Sequence, residues 1–327
     1  MTRHEEFVAR FPPVPSDAPR PRWSVLVPTY NCATYLEEAL GSILAQDPGR
    51  DHMEIIVVDD CSTRDDPEEV VRRIGRGRVD FIRQQQNVGK VLNYETGLRK
   101  SRGHLIHQLH GDDRVRPGFY EAMENAFAEL PETGAIFCDS FIIDESGSLT
   151  GHTGDDDSTT RLMEGWLEKI YVEQQIQTPS MVLRRNVYEQ LGGFDRRLDL
   201  CEDWEMWIRV ASSYPVGFLG QRLAEYRVSS SSTSTAGMVE GKVAAALREV
   251  MRIVDAYVPR DIVSRLREER NRQAAQYIAQ FIPPLMRRRR YGGVARSFRD
   301  ALSFSADPRT LYRLVNYTVR HRGLTGA

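Results

Sequence analysis

Five short stretches carry residue types at spacings that could do chemistry: PTYN at Pro28–Asn31, DDCST from Asp59-Asp60, QNVGK with Asn87, Gly89 and Lys90, HGDD with Asp112-Asp113, and CED with Glu202-Asp203. Adjacent carboxylates can hold a hard divalent cation, which prefers oxygen ligands and keeps waters and substrate phosphates. Each Asp-Asp also has a structural alternative as a solvated turn. Asp112-Asp113 precedes Pro117, a natural first helical position, and Asp60-Cys61-Ser62-Thr63 leads toward a helix at Pro67. Taken singly, the pairs favour that alternative. Two such pairs, each closing a strand, favour a metal- and nucleotide-binding rim. Glu202-Asp203 opens a helix, where the dipole alone favours an acid. The same carboxylates could instead serve as a general base for an incoming hydroxyl. Trp204, Trp207, Ile208 and Ala211 form the apolar stripe of that helix, and the tryptophans read as core rather than as a sugar-stacking platform.

Such groups need elements to hold them. Apolar runs at Trp23–Val27, Glu54–Val58, Val79–Arg83, His104–Leu109 and Ala135–Ile143 predict strands, and EIIVV is apolar throughout, as a strand covered on both faces must be. TYLEEALGSILAQ carries Leu36, Leu40, Ile43 and Leu44 at helical spacing, with Thr34 and Glu37 as a capping box. Strand–helix alternation predicts an α/β fold with a mostly parallel sheet and right-handed crossovers. Ligands of such sheets bind beyond the carboxyl ends of the strands, where the acid pairs fall, so four carboxylates are expected on one rim.

The remaining sequence narrows the classes. No apolar run approaches the ~18 residues of a membrane span. Met1–Arg22 is polar and Pro-rich, lacks the apolar core of a secretory signal, and reads as a flexible arm. Cys32, Cys61, Cys138 and Cys201 are scattered without a CxxC pair, which predicts reduced thiols in a cytoplasmic protein rather than a disulfide framework or a zinc site. The net charge of −2 conceals an asymmetry: residues 236–327 hold 18 Lys and Arg against 8 Asp and Glu, leaving 26 against 38 before them. Ser229–Thr235 (SSSSTST) marks a flexible break, beyond which the pattern is helical. Arg287–Arg290, with Val294, Phe298, Leu302, Leu311, Leu314 and Val315, could rest on an anionic membrane face from the cytoplasmic side. The alternative, which weighs more, is a helical extension packed on the body. No recognition motif accompanies these arginines, so nucleic acid is not an expected partner.

The whole set, in order and register from Arg22 to Thr235, resembles the inverting GT-A-fold glycosyltransferases of family 2. The resemblance implies a Rossmann-like sheet flanked by helices over 22–235, after an arm at 1–21 and before a basic helical region at 236–327. It implies transfer of a sugar from a nucleoside-diphosphate sugar to an acceptor hydroxyl with inversion, the acceptor being a glycan, lipid-linked or protein molecule, as in cell-surface polysaccharide synthesis. Pro28, Thr29 and Tyr30 would cradle the nucleotide. Asp59 would bind the base, with Asp60 beside it, and Asn87, Gly89 and Lys90 would lie near the sugar nucleotide. Asp112 would meet the ribose or metal, Asp113 would coordinate Mn²⁺ or Mg²⁺, and Asp203 would be the catalytic base, with Glu202 and Arg227 as secondary candidates.

Three departures from the family pattern stand out. His110 occupies the first aspartate of a D-x-D-D string, which leaves ligation to Asp112 and Asp113. Asn93-Tyr94-Glu95 replaces an Ala-Arg-Asn triplet, leaving Lys90 as the nearest cation, either on the diphosphate or merely solvated. Ser229 stands where relatives place a histidine. Two rival readings are a sugar-nucleotide-binding scaffold that has lost catalysis and a nucleotidyltransferase. The latter should carry a basic, Gly-rich phosphate loop after the first strand, where this chain has PTYNCATY. Cys61 and Cys201 are assigned no catalytic role.

Overall fold

The computed structural model describes residues 6–15, 17–154, 158–229, 237 and 241–319. The chain divides into two compact units, Met1–Glu164 with Gln175–Val228, and Gly165–Gln174 with Ser229–Ala327.

In the first unit, strands and helices alternate as β1 (Trp23–Thr29), α1 (Ala33–Leu44), β2 (Met53–Asp59), α2 (Pro67–Gly75), β3 (Asp80–Arg83), α3 (Lys90–Lys100) and β4 (Leu105–Gln108). All seven residues of β2 are buried, as its unbroken apolar run requires. On α1, Leu36, Leu40 and Ile43 form the buried stripe. β1 pairs in parallel with both β2 and β4, in a register that sets Thr29 beside Asp59 and Leu26 beside Gln108. The carboxyl ends of the three strands therefore open on one side.

The chain continues through β5 (Arg114–Val115), α4 (Phe119–Glu129), β6 (Ala135–Ile143), β7 (Leu149–His152) and β8 (Arg161–Leu162). After α5 (Trp166–Val172), which belongs to the second unit, come β9 (Met181–Arg184), α6 (Arg185–Leu191), α7 (Glu202–Ala211) and β10 (Val216–Arg227). The sheet order is β3-β2-β1-β4-β9-β6-β10-β5. The fold is α/β, and its sheet is mixed: β9 enters antiparallel between β4 and β6. The stretch TPSMVLRR thus supplies a central strand. β10 also escapes the sequence pattern, because its register shifts twice, between Leu219 and Arg222 and between Arg222 and Ala224, which breaks any regular alternation.

The arm predicted to be flexible is partly docked. Val8, Ala9 and Phe11 are buried, Val8 bridges to Asp195, and Phe11 meets the Tyr188 ring edge-on at 6.5 Å. A Cβ on Gly192 would come within 2.8 Å of the Ala9 carbonyl oxygen, so a glycine there lets the strap lie flat.

The second unit contains α5 and helices Val243–Val254, Arg260–Ala279, Ile282–Arg287, Tyr291–Phe304 and Pro308–Val319, with no strand among its described residues. Tyr171 of α5 donates to Asp255 at 2.8 Å and lies under the Arg270 guanidinium at 4.5 Å. Arg287–Arg290 are all exposed. The Ser-rich residues 230–235 lie outside the described residues. No helix among the described residues is long and apolar enough to cross a membrane.

Candidate active site

The first loop of the rim is latched to the second. Asn31, in the left-handed region at φ 52, accepts from the Thr63 and Arg64 N–H groups at 2.8 and 3.0 Å, and its own N–H donates to Ser62 Oγ. The Ala33 N–H, first in α1, donates to Asp65 Oδ2 at 2.8 Å. This replaces the expected Thr34–Glu37 capping box: α1 begins one residue before Thr34, and a carboxylate from the neighbouring loop satisfies its end. Thr29 is buried with Oγ1 2.9 Å from Cys32 Sγ, Pro28 is half-buried, and Tyr30 is 45% exposed on the rim.

Asp59 and Asp60 lie outside the tight cluster formed by His110, Asp112 and Asp113. Asp59 is fully buried; it accepts from the Ser62 N–H at 3.1 Å and Ser62 Oγ at 2.5 Å, and pairs with Arg83 Nε at 3.3 Å. Asp60 accepts from the Val88 and Gly89 N–H groups at 2.7 and 2.9 Å. Burial raises its pKa against the pull of those two donors. Asn87 donates to the Asp60 carbonyl, and Gly89 takes φ 87 just before α3. The turns after β2 and β3 aim their N–H groups at this first pair.

Asp112 and Asp113 form the opposite kind of pair. Asp113 is 1% exposed; its Oδ1 accepts the Arg227 N–H at 2.8 Å, while its buried Oδ2 has no hydrogen-bond partner. His110 Nδ1 lies 3.5 Å from that oxygen, and ligand atoms of His110, Asp112 and Asp113 all fall within 4.8 Å of one another. Burial, and then the Asp113 charge, push the Asp112 carboxyl up to about 6. For His110, burial works against the charged form, but Asp113 and Asp112 outweigh it and raise the pKa. A buried, partnerless carboxylate oxygen beside a second carboxylate and an imidazole fits a divalent cation. His110, which the sequence pattern removed from ligation, is therefore a member of the cluster. In the sequence, only the spacing H-x-D-D marks that membership.

Arg227 braces this loop. Its side chain is fully buried, with Nε donating to the Asp112 carbonyl at 2.8 Å, Nη1 to Asp144 at 2.9 Å and Nη2 to Glu38 Oε2 at 2.8 Å, all 4.4 Å over the Tyr35 ring. Gly111 allows the close approach of the loop to β1: a Cβ there would meet Cys32 Sγ and Thr29 Oγ1 at 3.0 Å.

The last group forms where α3 and α7 begin. Lys90 Nζ is 2.7 Å from Glu202 Oε1, and the buried Glu202 Oε2 has no partner. Burial raises the Glu202 pKa, with Lys90 pulling the other way. At Lys90 burial opposes the charge, yet Glu202 and then Asp203 raise its pKa. The Lys90 charge also reaches His110. Asp203 is half-buried and accepts from the Trp204 N–H at 2.8 Å, with Trp204 and Trp207 buried as core beneath it. Ser229 opens the second unit.

Solved structures of S. aureus TarS share this fold. TarS 1–349 in complex with UDP-GlcNAc aligns over 90% of this chain and 79% of its own, with a TM-score of 0.59 at 16% identity. That likeness shows the GT-A fold. Residues 24–192, more than half of the chain, match glycosyl transferase family 2, and the chain belongs to that family. Uncharacterized glycosyltransferases of Rickettsia typhi, at 27% identity over 67% of each chain, and of Methanocaldococcus jannaschii, at 25% over 64% of this chain and 71% of the relative, are similar to it. The chain spans only 33% of the length of a similar Rickettsia felis protein.

Proposed function

We propose that this protein transfers a sugar from a nucleoside-diphosphate sugar to an acceptor hydroxyl with inversion at the anomeric carbon. The observation that carries the reading is the His110/Asp112/Asp113 cluster, its ligand atoms within 4.8 Å of one another, in a chain of glycosyl transferase family 2. The TarS complex with UDP-GlcNAc makes uridine diphosphate sugars the first donors to test.

Asp112 and Asp113, with His110, would hold a divalent cation, which when bound supplies positive charge to a departing diphosphate. Arg227 fixes the loop that carries them, so the carboxylates meet the donor without rearrangement. Asp203 accepts the proton of the acceptor hydroxyl at its carboxylate as the sugar moves to that oxygen. Its place at the start of a helix anchored by Trp204 and Trp207 holds it to one position. The Lys90–Glu202 pair keeps a second, buried acid from competing for that proton. Inversion needs one displacement and hence no covalent nucleophile, in keeping with Cys32 and Cys138, whose thiols burial pushes up to about 12. Alignment of the two substrates supplies much of the remaining acceleration.

The test is a donor screen with Mn²⁺ and Mg²⁺ that follows nucleoside diphosphate release across a panel of sugar nucleotides, with the anomeric configuration of the product read by NMR. Release from one donor and an inverted product support the reading. Release from none, or a retained configuration, would overturn it. Membrane contact through Arg287–Arg290, which would suit a lipid-linked acceptor, is tested by sedimentation with acidic vesicles, where binding should fall steeply as salt rises.

A further inference from the structure

We propose that His110 joins Asp112 and Asp113 as a nitrogen ligand and tilts the site toward transition-metal dications such as Mn²⁺ and Co²⁺ over Mg²⁺. The proposal rests on reading this loop as a metal site, and goes beyond it to the kind of ion.

The imidazole is placed to ligate. Its Nδ1 is 3.5 Å from Asp113 Oδ2, the buried oxygen with no donor, and one ligand atom from each of the three residues falls within 4.8 Å of the others. Its far nitrogen, Nε2, lies 2.9 Å from the Gln108 amide nitrogen, while Gln108 Oε1 is buried without a partner. A 180° turn of that amide brings Oε1 to Nε2. The glutamine oxygen then accepts the Nε2–H, and the Nδ1 lone pair faces the two carboxylates. A ligating histidine is held in this way, by an acceptor on its other nitrogen that fixes tautomer and ring angle. Gln108 is thus a positioning residue for His110.

The choice of ion follows from the donor set. Mg²⁺ demands oxygen ligands and gives up water reluctantly. An imidazole nitrogen is a softer donor, whose affinity rises along the first transition series. Two carboxylates and an imidazole also match the charge of a dication, where three carboxylates would exceed it.

The experiment uses the full chain with Mn²⁺ alone as the probe, then with UDP added. Pulsed electron paramagnetic resonance of bound Mn²⁺ should carry ¹⁴N modulation from the imidazole. His110→Asp should lose that modulation and lower the Mn²⁺-over-Mg²⁺ preference, measured by calorimetry, by about tenfold. Gln108→Ala should keep the nitrogen signal and weaken Mn²⁺ by about tenfold. If Asp113→Asn leaves Mn²⁺ binding intact, the loop is not the metal site and the underlying reading fails. If Asp113→Asn abolishes binding but the unaltered protein shows no ¹⁴N modulation, or His110→Asp keeps the ion preference, His110 only hydrogen-bonds Asp113 and this proposal is overturned.

Discussion

Asp59-Asp60 and Asp112-Asp113 are the same dipeptide, each found at the carboxyl end of a buried strand of one sheet. Around the first, the backbone turns toward the acids: Ser62, Val88 and Gly89 all point N–H groups at them, with Ser62 Oγ and Arg83 in support. Around the second, the Arg227 N–H reaches Asp113 Oδ1, but no N–H reaches Oδ2. The Gly111 N–H donates to the Pro28 carbonyl and the Asp113 N–H to the His110 carbonyl, which leaves Asp113 Oδ2 with none. A carboxylate becomes part of the scaffold or stays available for chemistry according to where the neighbouring N–H groups go. Residue type does not decide it.

The contrast can be broken first at a carboxylate outside both pairs. Asp203→Asn keeps an oxygen for the Trp204 N–H but removes the base, so kcat should fall by ~10²–10⁴-fold with donor affinity nearly constant. Glu202→Gln should lower the thermal midpoint, through its pair with Lys90, and spare more of kcat. Near-normal turnover by Asp203→Asn would remove the chemistry from this rim.

Asp113→Asn sharpens the comparison. Metal-supported donor binding and turnover should both drop, by on the order of 10²-fold. The melting temperature should hold or rise, because a neutral amide replaces a buried oxygen that lacks a donor. A large fall in stability would make this pair scaffold as well.

Two histidines three residues apart extend the contrast from acids to bases. His107, inside β4, is buried between Tyr120 OH and the Pro179 carbonyl, and burial lowers its pKa to about 4. The stability it permits is complete above its unfolded pKa near 6.5, and is lost as pH falls toward 4 because the unfolded chain then binds the proton more readily. The loss should reach about 3 kcal/mol by pH 4 and shrink in His107→Gln, as read by urea unfolding at several pH values.

Smallest in effect is Asp59→Ala, which strands the Ser62 donors and Arg83. It should cost ~1–3 kcal/mol in the denaturant midpoint while donor affinity per folded molecule stays near normal. Loss of donor binding in a still-folded variant would put Asp59 at the nucleotide.

Much of this was legible in the sequence. The apolar run of EIIVV and the stripe Leu36, Leu40, Ile43 carry their own periods, so the first half of the sheet and α1 could be read directly. The docking of Val8 and Phe11 could not, because a short apolar trio in a Pro-rich stretch shows no partner until Tyr188 and Gly192 are folded nearby. β9 offers only four residues, and β10 is interrupted by its register shifts. Asp65 at the head of α1 is a contact 32 residues away in sequence, which no local capping rule could find. The aspartate pairs were legible as positions, but their opposite orientations depend on turns at Ser62 and Gly89 and on Arg227. His110 was visible as a residue, and lost its place only when judged against an aspartate pattern rather than by what an imidazole can donate.

The buried Arg227 also sets a schedule. The N–H that holds Asp113 arrives 114 residues after it, and the same residue's guanidinium reaches back to Glu38 in the first helix. At ~5–20 residues per second, a growing chain would carry its acidic loop for roughly 6–23 s before the brace existed. The first strands and helices can pair during that interval, but the loop between β4 and β5 stays unset until the end of the last strand emerges. Chains halted inside β10 can pair β1–β4, β6 and β9 but lack the brace, and in them the donor binding proposed above should be absent.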